Sequence, residues 1–164
     1  MTIDTATNAL MTQIENQPLT IFSKIVSTIF EPEVLIVISL IISAYLFLKV
    51  SRKKGTIFAI TMIITGALIW ITKEVSQRSR PLNALIESTS HSFPSGHATV
   101  VVVFLGMLVY LIPKKKTKLI TIITTLIILL IGFTRIYLRV HWLTDIIAGF
   151  VLGAIILITA IKTN

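Results

Sequence analysis

The chain has 164 residues, a net charge of +8, a mean hydropathy of +0.91 and no cysteine. Only 13% of its residues are charged, against about 25% in a soluble domain, so the composition indicates a membrane protein. Disulfides, thiolate catalysis and cysteine-bound metal are excluded, and nucleic-acid binding is not indicated because the basic residues occur in short runs between apolar segments.

The first predicted element is a short amphipathic helix over residues 19–30. Apolar residues recur there at a period near 3.6, opposite a polar face that includes Lys24, Ser27 and Glu31. Because the run is too short to cross a bilayer, we expect the helix to lie in the membrane interface. The alternative is a sixth, weakly hydrophobic span.

Five longer apolar stretches follow, each near the short end of the roughly 17–25 residues that cross a bilayer. They cover residues 34–50, 56–72, 98–112, 119–134 and 146–161. We expect helices, because an open strand would leave backbone groups unpaired in lipid. The predicted fold is an all-α, polytopic membrane helix bundle with five transmembrane helices after the interfacial one. It forms a single domain over residues 1–164, with a tail and amphipathic helix at 1–33 and a transmembrane core at 34–161.

Lysine and arginine are distributed unevenly about this layout. Nine of the fifteen fall on one side, whereas all seven acidic residues fall on the other. The nine are Lys49, Arg52, Lys53, Lys54, Lys114, Lys115, Lys116, Lys118 and Lys162. The positive-inside rule places them in the cytoplasm. We therefore expect a multi-pass protein of the cell membrane, with its N-terminus outside and its C-terminus in the cytoplasm.

Two outer segments, residues 73–97 and 135–145, contain every histidine of the chain. One helical hairpin separates them, so both return to the same membrane face. In the first segment Lys73 and Arg80 are seven residues apart, and a continued helix would place both on one face before Pro81 ends it. Two such cations suit a phosphate group, although basic residues at a membrane end also serve as interfacial anchors.

The sequence Pro94-Ser95-Gly96-His97 directly precedes the third apolar stretch. Proline is favoured in a first helical turn, and Ser92 or Ser95 is a suitable N-cap. Glycine lets a ligand approach the backbone, whose free N–H groups attract an anion at a helix start. The motif predicts either an anion site beside His97 or simply a helix start that carries a histidine.

Arg135, His141 and Asp145 form a third group. The last two are four residues apart, so on a helix the carboxylate would lie beside the imidazole. An aspartate that accepts from one ring nitrogen leaves the other as a nucleophilic lone pair. Arg135 lies off that helical face, so a turn is required before it can meet the same phosphate. A buried His–Asp pair in a membrane protein indicates function.

Together the three groups resemble the motif of the type-2 phosphatidic acid phosphatase superfamily, which includes the vanadium haloperoxidases. The family pattern is Lys, six residues, Arg-Pro; then Pro-Ser-Gly-His; then Ser-Arg, five residues, His, three residues, Asp. The resemblance covers about residues 31–161, and only Thr134 departs from the pattern, in place of serine. The matched residues are Lys73, Arg80, Pro81, Pro94, Ser95, Gly96, His97, Arg135, His141 and Asp145.

The resemblance implies a bacterial membrane lipid phosphatase that needs no metal or other cofactor. In the implied mechanism His141 attacks phosphorus, Asp145 orients His141, and His97 protonates the leaving oxygen. The implied phosphate contacts come from Lys73, Arg80, Ser95, Gly96 and Arg135. His91 has no position in the motif, and we expect it to be a loop residue.

The implied substrate is a membrane lipid phosphate or diphosphate at the outer face of the bilayer. Phosphatidylglycerophosphate, phosphatidic acid and undecaprenyl diphosphate all fit, and the oligomeric state stays open. Membrane members of the family commonly have six spans, so we expect the first span to be missing from this sequence.

Three other functions use similar residues. A non-catalytic lipid-phosphate binder or transporter would require only the cations. A vanadium haloperoxidase would use the same residues to hold vanadate, but five membrane segments disfavour this soluble chemistry. A zinc hydrolase would use His97, His141 and Asp145 as ligands, and a chelator would inactivate it.

Overall fold

The computed structural model describes residues 1–111 and 117–163. All regular secondary structure in these residues is helical. The helices are α1 (Ile3–Gln13), α2 (Gln17–Ile29), α3 (Pro32–Lys49), α4 (Arg52–Ser76), α5 (Gly96–Leu111), α6 (Thr117–Tyr137) and α7 (Leu143–Lys162).

Four helical segments are long and apolar enough to cross a membrane. They are Gln17–Lys49, Arg52–Ser76, Thr117–Tyr137 and Leu143–Lys162. The α5 helix is also apolar but has only 16 residues. The prediction of an all-α, polytopic membrane protein is confirmed for the described residues. The count of five spans stays a prediction, because α2 and α3 are separated only at Phe30 and Glu31 and together form one apolar segment.

The α2 helix turns two serines, together with Val26, toward the rest of the protein. Ser23 and Ser27 are buried, whereas Phe22, Ile25 and Ile29 are exposed. An outward apolar face is the arrangement expected of a helix in contact with lipid. The inward polar face is therefore free to contact the polar end of the bundle.

The polar residues of the predicted site lie at one end of the bundle. The helices α4 and α6 end there, and α5 and α7 begin there. The two intervening loops touch, since Leu85 N donates to Leu138 O at 2.9 Å. At the other end lie Lys49, Arg52 and Lys162, whereas Lys114, Lys115 and Lys116 fall outside the described residues. This separation of charge is the one that the sequence predicts.

Small residues allow α7 to pack closely against α5. A Cβ atom added at Gly149 would lie 2.8 Å from the carbonyl oxygen of Ser95, and one at Gly153 would lie 2.8 Å from that of Thr99. Small residues four apart are a common device for close approach of membrane helices. The contact holds the start of α5, which carries the second motif, against the first turn of α7, which carries Asp145 of the third motif.

Large side chains fill the interior below the site. Phe58 and Met62 of α4 are fully buried and pack with Phe104 and Met107 of α5. The rings of Phe58 and Phe104 have centroids 6.2 Å apart. Because lipid tails are as apolar as these side chains, close packing is the main stabilising force between such helices.

Candidate active site

The first motif spans the end of α4 and the loop that follows. The helix ends at Ser76, where Gln77 adopts a left-handed conformation with φ of 45°. The prediction that a continued helix aligns Lys73 with Arg80 is therefore wrong. The two side chains still converge, because the carbonyl oxygen of His91 accepts from Lys73 Nζ and, at 3.3 Å, from Arg80 Nη2.

The guanidinium of Arg80 is fixed by the loop between α4 and α5 and by the turn between α6 and α7. Its Nε donates to Ser90 O at 2.8 Å and its Nη1 to Val140 O at 2.5 Å. The same Nη1 lies 3.3 Å from Nε2 of His141. Burial lowers the pKa of Arg80 from its ordinary value, but a guanidinium keeps its charge in a protein. A fixed cation thus stands beside the ring of His141.

The second motif begins α5, as the sequence predicts. The side chain of Ser95 accepts from the backbone of Ala98 at 3.4 Å and so caps the helix. The backbone N of Ser95 donates to Asp145 O at 3.1 Å. Ser95, Gly96 and His97 are all buried. The N-terminus of α5, the positive end of its dipole, therefore lies beside the first turn of α7.

The helix α2 contacts two of the predicted site residues, although no motif assigned it to the site. His97 Nε2 lies 3.2 Å from the carbonyl oxygen of Ser27 in α2 and 3.3 Å from Oε2 of Glu31, which follows α2 as the N-cap of α3. Arg135 Nη1 donates to Ser27 Oγ. The only sequence signal is that Ser27 and Glu31 are four apart on the polar face of an amphipathic helix.

Arg135 is buried and incompletely paired. It is 5% exposed, and its Nε has no hydrogen-bond partner among the residues that the structure describes. A buried donor without a partner is costly, and a guanidinium forms its strongest hydrogen bonds with anionic oxygens. Arg135 is therefore suited to a phosphate oxygen.

The third motif spans the end of α6, the turn that follows it and the start of α7. The turn required after α6 is present, and Arg139 within it has φ of 55°. His141 stands in this turn, whereas Asp145 lies in the first turn of α7. The prediction that a helix places these two side by side is therefore wrong. They meet across the turn instead, with His141 Nδ1 3.5 Å from Asp145 Oδ2.

The imidazole of His141 is in a state suited to nucleophilic attack. Burial lowers its pKa to about 3; Asp145 opposes the shift, and Arg135, Arg80 and Lys73 add to it. The ring is therefore neutral at pH 7. A hydrogen on Nδ1, toward the carboxylate, leaves the lone pair on Nε2.

The contact of 3.5 Å between Nδ1 of His141 and Asp145 is longer than an ordinary hydrogen bond, and Nδ1 has no closer partner in the described part of the chain. Catalytic hydrogen bonds are often long without substrate and shorten in the complex. The carboxylate itself is well held, because Oδ2 accepts from Trp142 N at 2.9 Å.

Asp145 has a further partner that the motifs did not predict. Arg78 donates to its Oδ1 at 2.5 Å and also to Asp4 of α1 at 2.6 Å. The position of Arg78, between Lys73 and Arg80, was the only signal that it belongs to the site. Nothing in the sequence indicated that Asp4 contacts Arg78.

Positive charge dominates the site. Within residues 1–111 and 117–163, no three His, Asp or Glu side chains cluster closely enough to hold a metal ion. The cations Lys73, Arg80 and Arg135 all act electrostatically on His141. Three cations around a neutral imidazole can bind a phosphoryl group and stabilise the charge that develops on it.

The fold and these side chains together define a helical membrane protein with a cluster of cations around a histidine–aspartate pair at one end of its bundle. The chain belongs to the PAP2 superfamily, whose family model matches residues 33–164. The family resemblance drawn from the three motifs is thereby confirmed.

Named relatives agree with this assignment. The chain is 32% identical over 123 residues to phosphatidylglycerophosphatase B of Bacillus subtilis, covering 71% of this chain and 61% of the relative. It is 34% identical over 116 residues to undecaprenyl-diphosphatase of Sulfolobus acidocaldarius, covering 66% of this chain and 54% of the relative. The matches thus span little more than half of these relatives' lengths.

Solved structures share the fold. A crystal structure of a transmembrane PAP2-type phosphatidylglycerolphosphate phosphatase from Bacillus subtilis superimposes with a TM-score of 0.90 at 26% identity, covering 98% of this chain and 83% of that one. Aquifex aeolicus LpxE superimposes with a TM-score of 0.80 at 22% identity, covering 99% and 96%. The chain is therefore a multi-pass membrane protein with this helical fold.

Proposed function

We propose that the chain is an integral membrane lipid phosphatase that removes the terminal phosphate of a lipid phosphate or diphosphate through a phosphohistidine at His141. Residues 1–164 form one catalytic domain in this proposal. The observation that carries it is the neutral, buried imidazole of His141, held between Asp145 and Arg80. Simple binding of a lipid phosphate requires cations but not a nucleophile oriented by a carboxylate.

Binding would use the fixed cations. Lys73, Arg80 and Arg135 neutralise the phosphate oxygens, and the hydroxyl of Ser95 and the backbone N–H of Gly96 add hydrogen bonds at the start of α5. The lipid tail stays in the bilayer while the headgroup reaches this cluster. The positive field of the site therefore selects the phosphate, and the tail contributes through its membrane location.

In the first chemical step, Nε2 of His141 attacks phosphorus and the bond from phosphorus to the lipid oxygen breaks. His97 donates a proton to that oxygen, so the lipid leaves as a neutral alcohol or, from a diphosphate, as the protonated monophosphate. Burial lowers the pKa of His97 from its ordinary value, and Glu31, 3.3 Å from its Nε2, opposes this shift and so favours the charged imidazolium that this role requires. Asp145 stabilises the positive charge that develops on His141.

In the second step, water attacks the phosphohistidine. His97, now neutral, accepts a proton from the water, and the phosphorus–nitrogen bond breaks to release inorganic phosphate. His141 is left neutral, as it began. The three cations stabilise charge on the phosphoryl oxygens in both steps, and positioning and electrostatics contribute most of the rate enhancement in phosphoryl transfer.

A phosphate-release panel tests the proposal. The purified protein in detergent is assayed with phosphatidylglycerophosphate, phosphatidic acid and undecaprenyl diphosphate, with and without EDTA. We expect phosphate release from at least one lipid, unchanged by EDTA and absent in His141→Ala. Lipid binding without release would indicate a binder, and loss of activity in EDTA would indicate a zinc hydrolase.

We also propose that the site faces the outside of the cell and that the C-terminus is cytoplasmic. Since the chain has no cysteine, single cysteines can report the topology. Glu87→Cys, in an exposed part of the loop between α4 and α5, is expected to react with a membrane-impermeant thiol reagent in intact cells. Lys115→Cys is expected to react only after the cells are permeabilised. The reverse pattern would place the reaction in the cytoplasm.

A further inference from the structure

The N-terminal helix α1 reaches the active site. It lies outside the segment matched by the family model, which begins at residue 33. It packs against α6 and α7, the two helices that flank the turn of His141. Asp4, in its first turn, is only 9% exposed. A buried carboxylate at the start of a surface helix requires strong partners.

Those partners belong to the third motif and its loop. Asp4 Oδ1 accepts from the backbone N of Thr144 at 2.9 Å, and Oδ2 accepts from the Thr144 hydroxyl at 2.7 Å. Oδ2 also accepts from Arg78 Nη2 at 2.6 Å. Burial raises the pKa of Asp4, but these bonds outweigh it and hold the pKa below its ordinary value. Asp4 therefore caps the catalytic helix α7 as an anion supplied by another helix.

Arg78 bridges two carboxylates. While Nη2 binds Asp4, Nη1 donates to Asp145 Oδ1 at 2.5 Å and to the Thr144 hydroxyl at 2.7 Å. Its guanidinium also lies over the indole of Trp142, 5.7 Å from the ring centroid. A planar guanidinium with donors on both sides fits this arrangement, which a lysine cannot reproduce.

The consequence for Asp145 is a fixed orientation. This carboxylate has no exposed surface, so an unpaired charge there would be costly. Arg78 engages Oδ1, and Oδ2 is left to Trp142 N and Nδ1 of His141. Without Arg78 the carboxylate could rotate away from the ring or take up a proton. Either change would remove the group that fixes the tautomer of His141.

We propose that Arg78 is a positioning residue for His141 that acts through Asp145, and that Asp4 of α1 holds Arg78 in this position. The N-terminal helix is thus part of the active site. The proposal rests on the proposed phosphatase function, because its effect is on the attack by His141. It concerns the rate of reaction at bound phosphate, since Arg78 is not one of the cations that face the phosphate.

Steady-state kinetics of Arg78→Ala, Arg78→Lys and Asp4→Asn test this assignment. We expect Arg78→Ala to lower kcat roughly 100-fold with little change in KM, because small misplacements of a reacting group can cost about that much. Arg78→Lys should restore little, because an ammonium group cannot bridge both carboxylates. Asp4→Asn, which is isosteric and so least disturbs folding, should lower kcat about 10-fold, a usual size for loss of an orienting partner.

The combined effect of two substitutions on kcat distinguishes a positioning role of Arg78 from simple support of the fold. Because asparagine at position 4 keeps an oxygen for the backbone of Thr144 and loses the charge that holds Arg78, Asp4→Asn is expected to cause no further loss in Arg78→Ala. Guanidinium ion at sub-denaturing concentration should restore part of kcat in Arg78→Ala, whose site is partly open to solvent, and none in His141→Ala. The matched control is Glu15→Gln. It breaks the ion pair between Glu15, just after the end of α1, and Arg139, in which Glu15 Oε2 lies 2.8 Å from Arg139 Nη2. It should keep kcat.

Several results would overturn the proposal. The first is a wild-type kcat in both Arg78→Ala and Asp4→Asn. The second is an equal loss of kcat when Asp4→Asn is introduced into the wild-type protein and into Arg78→Ala. The third is a folded Arg78→Ala whose kcat guanidinium does not restore. If Glu15→Gln lost as much kcat as Asp4→Asn, general anchoring of α1 would explain the effect instead. If the wild-type protein released phosphate from no lipid, the proposed function itself would fail, which is a distinguishable result.

Discussion

Replacement of His141 by alanine is expected to lower lipid phosphate hydrolysis at least about 10⁴-fold while the protein stays folded. Loss of a catalytic nucleophile has effects of this size in hydrolases, because the remaining binding groups retain only a small part of the rate enhancement. The imidazole is buried, with one nitrogen toward Asp145 and the other toward Arg80.

The measurement is phosphate release at saturating lipid, with size-exclusion chromatography and thermal unfolding in detergent as checks of folding. His91→Ala is the matched control. The backbone carbonyl of His91 binds Lys73 and Arg80 and is kept in alanine, whereas its side chain has no position in the motif. The control is expected to keep turnover. If folded His141→Ala kept more than a tenth of normal turnover, His141 could not be the nucleophile.

Orthovanadate is expected to inhibit the wild-type protein strongly, and Arg135→Ala is expected to weaken this inhibition and turnover together. Vanadate reproduces the five-coordinate geometry of the transferring phosphoryl group, and transition-state analogues bind far more tightly than substrates. Arg135 has a buried Nε–H without a partner among the described residues, and we expect an oxygen of that group to accept from it. Removal of one such stabilising donor typically costs about 10²–10³-fold in kcat.

Inhibition constants for vanadate, measured against each lipid that is hydrolysed, test this expectation. Vanadate should compete equally with every lipid, because it occupies only the phosphate subsite. Arg139→Ala is the matched control, since Arg139 is equally buried and also has one guanidinium nitrogen without a partner among the described residues, but its guanidinium is held by Glu15 and by the carbonyl oxygen of Asn83. It should lower the Tm but keep the inhibition constant. Unchanged activity in millimolar vanadate would remove the main support for the phosphohistidine.

Hydrophobicity and motif spacing predicted the parts of this molecule that depend on local sequence. Apolar runs predicted the long helices, because lipid leaves few alternatives to helical backbone. The three motifs could be placed at one end because helix direction alternates along the chain. Gly149 and Gly153 then let α7 approach α5 closely enough to join two of the motifs.

Local backbone geometry was less predictable. Gln77 takes a left-handed conformation without glycine, so nothing marked the end of α4 at Ser76. A helix continued to Arg80 was the natural but wrong expectation. The prediction that one helix places His141 beside Asp145 was wrong for a similar reason, since a four-residue spacing fits both a helix and a turn before a helix.

The contacts of the N-terminal helices could not be predicted at all. Glu31 was assigned to the polar face of an amphipathic helix, and only the fold brings that face to His97. Asp4 meets Arg78 because α1 folds back over the site. Such long-range pairs leave no periodicity in a single sequence, so only a structure can reveal them.

The stereochemical course at phosphorus tests the central claim most directly. A substrate lipid with a chiral, isotopically labelled thiophosphate is hydrolysed in labelled water, and the configuration of the released thiophosphate is determined. A phosphohistidine on His141 requires two successive in-line displacements, each of which inverts phosphorus. The account therefore predicts net retention of configuration. Net inversion would mean that water attacks the lipid phosphate directly, and the covalent role of His141 would be contradicted.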